Sequence, residues 1–170
     1  MALSSMRIYQ FKKEFKRGNF LKFAFWHKKS LRGILIFFAG NMFKSMENLS
    51  FLSLKGNKIK RIHPAAFSTL KSLRNIDLSF NDLDQLNGLT FVKNSDLEVV
   101  RINDNVRLEA LPSEGFDTNA KSFHVYLFDA SNCDIGNLGE NTFKTRPFIT
   151  RLYLSGNNIE KIPKNLFRWE

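Results

Sequence analysis

Few side chains in this sequence have the types and spacing that catalysis or metal binding requires. The histidines are His27, His63 and His124, and Cys133 is the only cysteine, so no disulfide can form within the chain. Zinc sites need several His or Cys ligands at short spacings, and these four residues stand in different contexts. The chain also has no G-x-x-x-x-G-K-[ST] phosphate loop and no G-x-S-x-G nucleophile turn. We therefore predict no metal, no other cofactor and no enzymatic activity.

A repeated pattern of apolar residues begins at Leu49 and must position whatever surface the protein uses. The first copy consists of Leu49, Leu52, Leu54, Asn57, Ile59, Ile62 and Phe67, and further copies begin at Leu73, Leu97, Val125 and Ile149. The third copy has one extra residue after its asparagine. Such periodicity is the signature of an array in which each unit buries its apolar side against its neighbours.

Each copy is predicted to begin with a short strand and to turn at the asparagine. Because side chains alternate along a strand, positions four and six should point inward, whereas positions three, five and seven should lie on the opposite face. A buried polar ladder is then expected from Asn57, Asn81, Asn105, Cys133 and Asn157, in which the cysteine is structural. A second ladder of stacked rings is expected from Phe43, Phe67, Phe91, Phe116, Phe143 and Phe167.

The order L-x-x-L-x-L-x-x-N-x-L, the length of 24 residues and the endings LPSEGF and IPKNLF resemble the typical leucine-rich repeats of Slit-like, Toll-like, chaoptin-like and small-proteoglycan ectodomains. The resemblance implies an α/β fold, a curved right-handed leucine-rich repeat solenoid. Its concave face would be a parallel sheet and its convex side irregular or short-helical. It also implies protein binding without catalysis, in an extracellular or membrane-associated setting. The chain departs from those ectodomains because it has no signal-peptide pattern and no cysteine-bearing caps, and because the last copy stops at Glu170 as a fragment would.

The predicted organisation has three parts. Residues 1–24 form a basic, aromatic leader, residues 25–48 a degenerate first repeat, and residues 49–170 the clear repeats. The clear repeats occupy 49–72, 73–96, 97–124, 125–148 and, truncated, 149–170. Counting back by 24 residues starts the degenerate repeat at Phe25 and places Phe38 opposite Ile62.

The net charge of +10 comes mostly from the leader, because residues 1–43 carry nine Lys and Arg against one acid. Ile8, Phe11 and Phe15 alternate with Lys and Arg at helical spacing, which predicts a short amphipathic helix. Three interpretations stay open for the leader. It caps the first repeat, it is disordered, or residues 7–32 bind an anionic membrane or an acidic partner. Nucleic-acid binding is not predicted for the repeats, since they are nearly neutral.

The concave face is the predicted partner-binding surface. Positions three and five place Phe51, Ser53, Asn75, Asp77, Val99, Arg101, Leu127, Asp129, Arg151 and Tyr153 on it. Asp77, Arg101 and Asp129 alternate in sign on adjacent strands, either as a self-neutralising ladder or as a recognition row. A carboxylate-pair hydrolase is not predicted, because the strand that carries Arg101 separates the two carboxylates.

The leading functional prediction is a non-catalytic module, part of an extracellular or receptor-type protein, that recognises a protein ligand or receptor. The alternative is a cytosolic adaptor, supported by the free Cys133 and the missing signal. A third hypothesis is peripheral binding to anionic membrane or nucleic acid through the leader. Asn48 heads the sequon Asn48-Leu49-Ser50 and is a glycosylation candidate in a secretory setting.

Overall fold

The computed structural model describes residues 13–17, 20–23, 37–38, 43, 46–116, 125–143 and 149–166, the first three ranges by their backbone alone. This part of the chain contains short strands joined by turns. The strands are β1 (Lys13–Arg17), β2 (Phe20–Phe23), β3 (Phe37–Phe38), β4 (Phe51–Ser53), β5 (Arg61–Ile62), β6 (Asn75–Asp77), β7 (Val99–Arg101), β8 (Leu127–Asp129) and β9 (Arg151–Tyr153).

The large sheet follows the sequence period. Its strand order is β1-β2-β4-β6-β7-β8-β9, and all neighbours from β2 onward pair in parallel. Phe51 lies opposite Asn75, and the same register continues through Val99 and Leu127 to Arg151. The predicted register from Leu49 onward is therefore confirmed, and the chain is a parallel-strand solenoid.

The apolar core is a continuous column beneath this sheet. Position four is occupied by buried Leu52, Ile76, Val100 and Phe128, and position six by Leu54, Leu78, Ile102 and Ala130. Each strand of the clear repeats spans positions three to five. Positions three and five face the concave side, so position four points inward and packs against the neighbouring repeats.

The helix predicted for the leader is wrong where the structure describes it. Residues 13–17 and 20–23 are the strands β1 and β2, which pair antiparallel, and β2 then pairs in parallel with β4. A helix of about ten residues is marginal by itself. The edge of β4 instead offers a row of backbone donors and acceptors that an added strand satisfies. The rest of the proposed membrane-binding segment 7–32 lies outside the described residues.

Two described strands bear on the region of the degenerate repeat, and they relate differently to the 24-residue count. Phe38 lies opposite Ile62, as counting by 24 predicts. The strand, however, is β2, with Phe20 opposite Phe51 at a separation of 31 residues, so the repeat does not begin at Phe25. The physical reason is that Leu21 and Phe23 provide the alternating apolar pair that a strand needs, whereas Lys28 stands where the 24-residue count requires a leucine.

On the convex side the predicted phenylalanine ladder forms, with one addition. Phe43, Phe67, Phe91 and Phe116 follow one another with ring centroids 6.0, 6.0 and 6.1 Å apart. Phe128, from position four of its repeat, then lies 5.5 Å from Phe116 and 5.8 Å from Phe143. Phe167 lies outside the described residues. A small parallel sheet of β3 and β5 and a bridge between Ala110 and Asn137 also join the repeats on this side.

Burial declines at the C-terminal end of the described array. Leu52 and Leu54 of the first clear repeat are fully buried, whereas the equivalent Leu152 and Leu154 of the last are only partly buried. Ile162 is 55% exposed. The stabilisation of each turn therefore depends on its neighbours on both sides.

Candidate functional site

The asparagine ladder determines the turn that follows each strand. Asn81 accepts hydrogen bonds through Oδ1 from the backbone N–H groups of Asn57 (2.9 Å) and Ile59 (3.0 Å). Through Nδ2 it donates to the carbonyls of Leu54 in the preceding repeat (3.0 Å) and of Leu78 in its own (2.8 Å). The prediction of bonds within the turn is confirmed, and the structure adds that each asparagine also links its turn to the previous one.

Asn105 and Asn157 repeat this arrangement. Asn105 Oδ1 accepts from Leu83 N–H, and its Nδ2 donates to Leu78 and Ile102. Asn157 Oδ1 accepts from Cys133 and Ile135, while its Nδ2 donates to Ala130 and Leu154.

Cys133 replaces the asparagine and keeps part of its bonding. Its Sγ donates to the Ile102 carbonyl at 3.1 Å, the bond that links the turn to the previous repeat. Burial raises the pKa of the Cys133 thiol to about 11, with a hydrogen bond from the Asn105 N–H acting against this rise and the charges of Asp104 and Asp129 adding to it. A buried neutral thiol of this kind supports a structural role.

The native chain should therefore react slowly with iodoacetamide. A pKa of about 11 in place of 9.0 lowers the thiolate fraction at pH 8 about a hundredfold, and burial lowers access further. The rate of carboxamidomethylation of Cys133 should be measured by mass spectrometry in buffer and in denaturing urea. Equal rates in the two solvents would contradict the structural assignment.

The concave rows form as predicted, with unequal access to solvent. Tyr153, 44% exposed, and Arg151 are the most open of the ten predicted residues, whereas Ser53 is only 6% exposed and offers little to a partner. The remaining members are half-buried: Phe51, Asn75, Asp77, Val99, Arg101, Leu127 and Asp129. The face thus combines apolar and charged side chains that are partly covered by their neighbours.

The charged row contains no close ion pair among the described residues. Asp77 lies opposite Arg101, and Arg101 opposite Asp129. Yet the ion pairs among the described residues are Arg61–Asp84 and Arg74–Glu98, both outside this row. Asp77 Oδ1 instead accepts from the N–H and hydroxyl of Ser79, and Asp129 Oδ1 from the N–H of Ser131. Both carboxylates are held by their own turns, and the guanidinium of Arg101 has no ion pair with either of them.

Two cation–aromatic contacts flank the concave face. The Arg151 guanidinium lies 5.0 Å from the ring centroid of Tyr126, and Lys55 Nζ lies 4.6 Å from that of Phe80. Tyr126 and Phe80 are 45% and 51% exposed. Neither ring was predicted from the sequence, because Tyr126 precedes its strand at position two and Phe80 lies three residues beyond its strand at position eight.

The backbone of position eight is left-handed in every clear repeat. Gly56, Phe80, Asp104, Asn132 and Gly156 have φ angles of 71°, 56°, 58°, 55° and 67°. Glycine, aspartate and asparagine tolerate this conformation, but a bulky phenylalanine does so at a cost of about 1–2 kcal/mol. The repeated left-handed residue was a detectable signal, since four of these five positions carry Gly, Asp or Asn, each three residues after its strand ends.

The other candidates are placed as follows. His63 Nδ1 accepts from the N–H of Ala65 at 3.0 Å, a local turn bond, whereas His27 and His124 lie outside the described residues. Within the described ranges no three His, Cys, Asp or Glu side chains form a group able to hold a metal ion.

Asn48 is exposed in the turn before β4, where a glycan meets no steric obstacle from burial. The pairing of β2 with β4 also places Phe20 opposite Phe51 at position three and Lys22 opposite Ser53 at position five. The count that began at Phe25 did not predict either residue there.

No helix in the described ranges has the length and apolar character needed to span a membrane.

Comparisons with known proteins agree with this geometry. Two family models described as leucine-rich repeat match residues 33–83 and 148–169. Mimecan from Mus musculus is 31% identical over 121 residues, which cover 69% of this chain and 37% of mimecan. Epiphycan from Homo sapiens is 28% identical over 121 residues, covering 69% of this chain and 34% of that protein. The chain thus spans little more than a third of the length of these curated relatives.

Two further similarities concern shorter or more distant matches. A leucine-rich repeat-containing G-protein coupled receptor 5 from Rattus norvegicus is 49% identical over 59 residues, 32% of this chain and 6% of the receptor. The crystal structure of the APL1 leucine-rich repeat domain superposes with a TM-score of 0.65 at 21% identity, covering 77% of this chain and 34% of that one. The shared repeat register, the asparagine ladder and these matches lead to one assignment: the chain is a leucine-rich repeat protein.

Proposed function

We propose that the chain is a non-catalytic module that binds a protein partner on its concave face, within an extracellular or receptor-type protein. The observation that carries this proposal is the guanidinium of Arg101, which lies between two carboxylates and forms no ion pair within the described ranges, while both carboxylates accept bonds from their own turns. Arginine, tyrosine and exposed apolar residues are the types that dominate binding energy at protein interfaces. Arg151 and Tyr153 add two exposed anchors on β9, which is separated from the strand of Arg101 by β8.

Replacing Arg101, Arg151 and Tyr153 together with alanine should weaken the binding of a concave-face partner about a hundredfold or more without unfolding the chain, because anchor residues typically contribute about 1–2 kcal/mol each. We would screen an array of purified extracellular domains with the labelled wild-type chain, then titrate each hit against the triple variant.

The matched control is a triple variant at exposed convex-side positions, Lys71→Ala, Leu89→Ala and Lys93→Ala, which removes two cations and one apolar side chain. Partners that bind both triple variants as tightly as the wild type would contradict concave recognition. Loss of binding in the convex variant alone would move the site to the other side of the solenoid.

The proposed compartment has its own support. One relative is by its printed name a G-protein coupled receptor, a class of membrane protein, and Asn48 is exposed. When the chain is fused to a signal sequence and translated in the presence of microsomes, it should gain one glycan. The glycan should appear as a mobility shift on a gel that an endoglycosidase removes and that Asn48→Gln abolishes. Lumenal chain that stays unmodified would leave the cytosolic adaptor, with its reduced Cys133, as the better hypothesis.

A further inference from the structure

Phe80 is an exposed aromatic residue held in a backbone conformation that phenylalanine disfavours. Its φ is 56°, in the left-handed region, and its side chain is 51% exposed. The equivalent positions of the other clear repeats carry Gly56, Asp104, Asn132 and Gly156, all residue types that accept this conformation more readily. Local conformational preference therefore does not account for a phenylalanine here.

The turn imposes this conformation on Phe80. Its N–H donates to the Asn103 carbonyl at 3.0 Å, and the Asn81 side chain donates to the carbonyls of Leu78 and Ser79, directly before it. These bonds belong to the ladder and would form with glycine at position eight, as they do around Gly56. The ring gains little from burial in return. Strain retained at an exposed residue is an observation from which a functional role can be inferred.

The charges around the ring give the chemistry of what it would bind. Lys55 Nζ lies over the ring at 4.6 Å, and Lys55 and Lys58 are both exposed. Neither forms an ion pair with a carboxylate in the described part of the chain. The nearby carboxylates of Asp77 and Asp104 accept hydrogen bonds from Ser79 and from the Asn103 and Asn132 amides. The ammonium group of Lys55, which lies over the ring, is therefore open to pair with a carboxylate from outside the described part of the chain.

We propose that Phe80 and Lys55 anchor an acidic segment of a partner protein at the rim of the concave face. An apolar side chain of that segment packs on the exposed part of the ring, and a neighbouring carboxylate pairs with Lys55. Docking would remove water from the ammonium group, which strengthens both its contact with the ring and its pairing with the carboxylate. This inference rests on the proposed function, which it extends from the strands to the turn that follows them.

The probe is a set of twelve-residue peptides selected from a displayed random library on the immobilised wild-type chain. At least one selected family should place Asp or Glu beside a large apolar residue. Its affinity should fall about tenfold or more for Phe80→Gly and several-fold for Lys55→Gln, the latter with a weaker salt dependence. Leu89→Ala, which removes a comparably exposed apolar side chain from the returning half of the same repeat, should leave the affinity unchanged.

Thermal unfolding separates an anchor from a structural ring. Because glycine accepts a positive φ without strain, Phe80→Gly should unfold at the same temperature as the wild type or a few degrees higher. A melting temperature several degrees lower would show that the ring supports the fold, and would overturn the proposal.

The variant Arg101→Ala distinguishes this inference from the proposed function. Peptides sensitive to Phe80→Gly support the rim anchor, whether or not they respond to Arg101→Ala. Peptides sensitive to Arg101→Ala alone support concave binding and overturn the rim anchor. A selection that returns no acidic peptide, or only peptides that bind Phe80→Gly as tightly as the wild type, also overturns it.

Discussion

Replacement of Phe67 with alanine is expected to lower the free energy of unfolding by about 3–5 kcal/mol. The Phe67 side chain is fully buried and lies between Phe43 and Phe91, with ring centroids 6.0 Å away on both sides. The pair with Phe91 is nearly parallel, at an interplanar angle of 8°. The variant loses the transfer free energy of the ring and leaves a cavity that the stacked neighbours cannot close without leaving their own sites.

Urea unfolding followed by circular dichroism measures this effect, with Leu89→Ala as the control. Leu89 is 45% exposed in the repeat that follows, so its truncation should cost well under 1 kcal/mol. A loss for Phe67→Ala as small as that of the control would show that the ladder does not stabilise the array. A lower m-value would instead indicate that the repeats on the two sides of the cavity unfold separately.

The repeat register was predictable because it follows from covalent spacing alone. Once Leu52 and Ile76 occupy equivalent positions, a parallel pairing of their strands buries both, and a slip by one residue would expose both. The asparagine ladder was predictable for a similar reason. A buried amide needs backbone partners, and the turn at Asn81 supplies them.

The N-terminal boundary was not predictable from local pattern. The spacing of Phe11 and Phe15 is compatible with a helix, but the pairing of β2 with β4 depends on a sheet edge that is distant in sequence. The wrong helix is a case in which a tertiary contact overrides a weak local preference. The count of 24 residues failed for the strand of this repeat, because β2 pairs with β4 at a separation of 31 residues, whereas β3 pairs with β5 at a separation of 24.

Alternation predicted which side chains face the concave surface, but not which of them are available. Ser53 is on the predicted face and is nevertheless buried, and Arg101 is flanked by two carboxylates without pairing to either. Both facts depend on side-chain conformations that a sequence pattern does not specify. Phe80 was missed because its position lies beyond the strand, where only the backbone angle shows that the residue is unusual.

Replacement of Asn81 with alanine should be the most damaging single change in the ladder, with an expected loss of about 4 kcal/mol or more. Alanine keeps the backbone but removes both bonding groups of the side chain. The N–H groups of Asn57 and Ile59 then lose their acceptor, and the carbonyls of Leu54, Leu78 and Ser79 lose a donor. These groups are buried, and an unsatisfied buried donor costs about 1–3 kcal/mol.

Asn157→Ala provides a control with matched bonding and different burial. Asn157 makes the equivalent bonds to Cys133, Ile135, Ala130 and Leu154, but it is only partly buried near the C-terminal end of the described array. Water can replace the amide there, so its loss should cost only about 1 kcal/mol. Equal losses in urea unfolding at the two positions would mean that the bonds themselves set the cost. A large difference would show that the ladder stabilises the solenoid chiefly where neighbouring repeats exclude water from it.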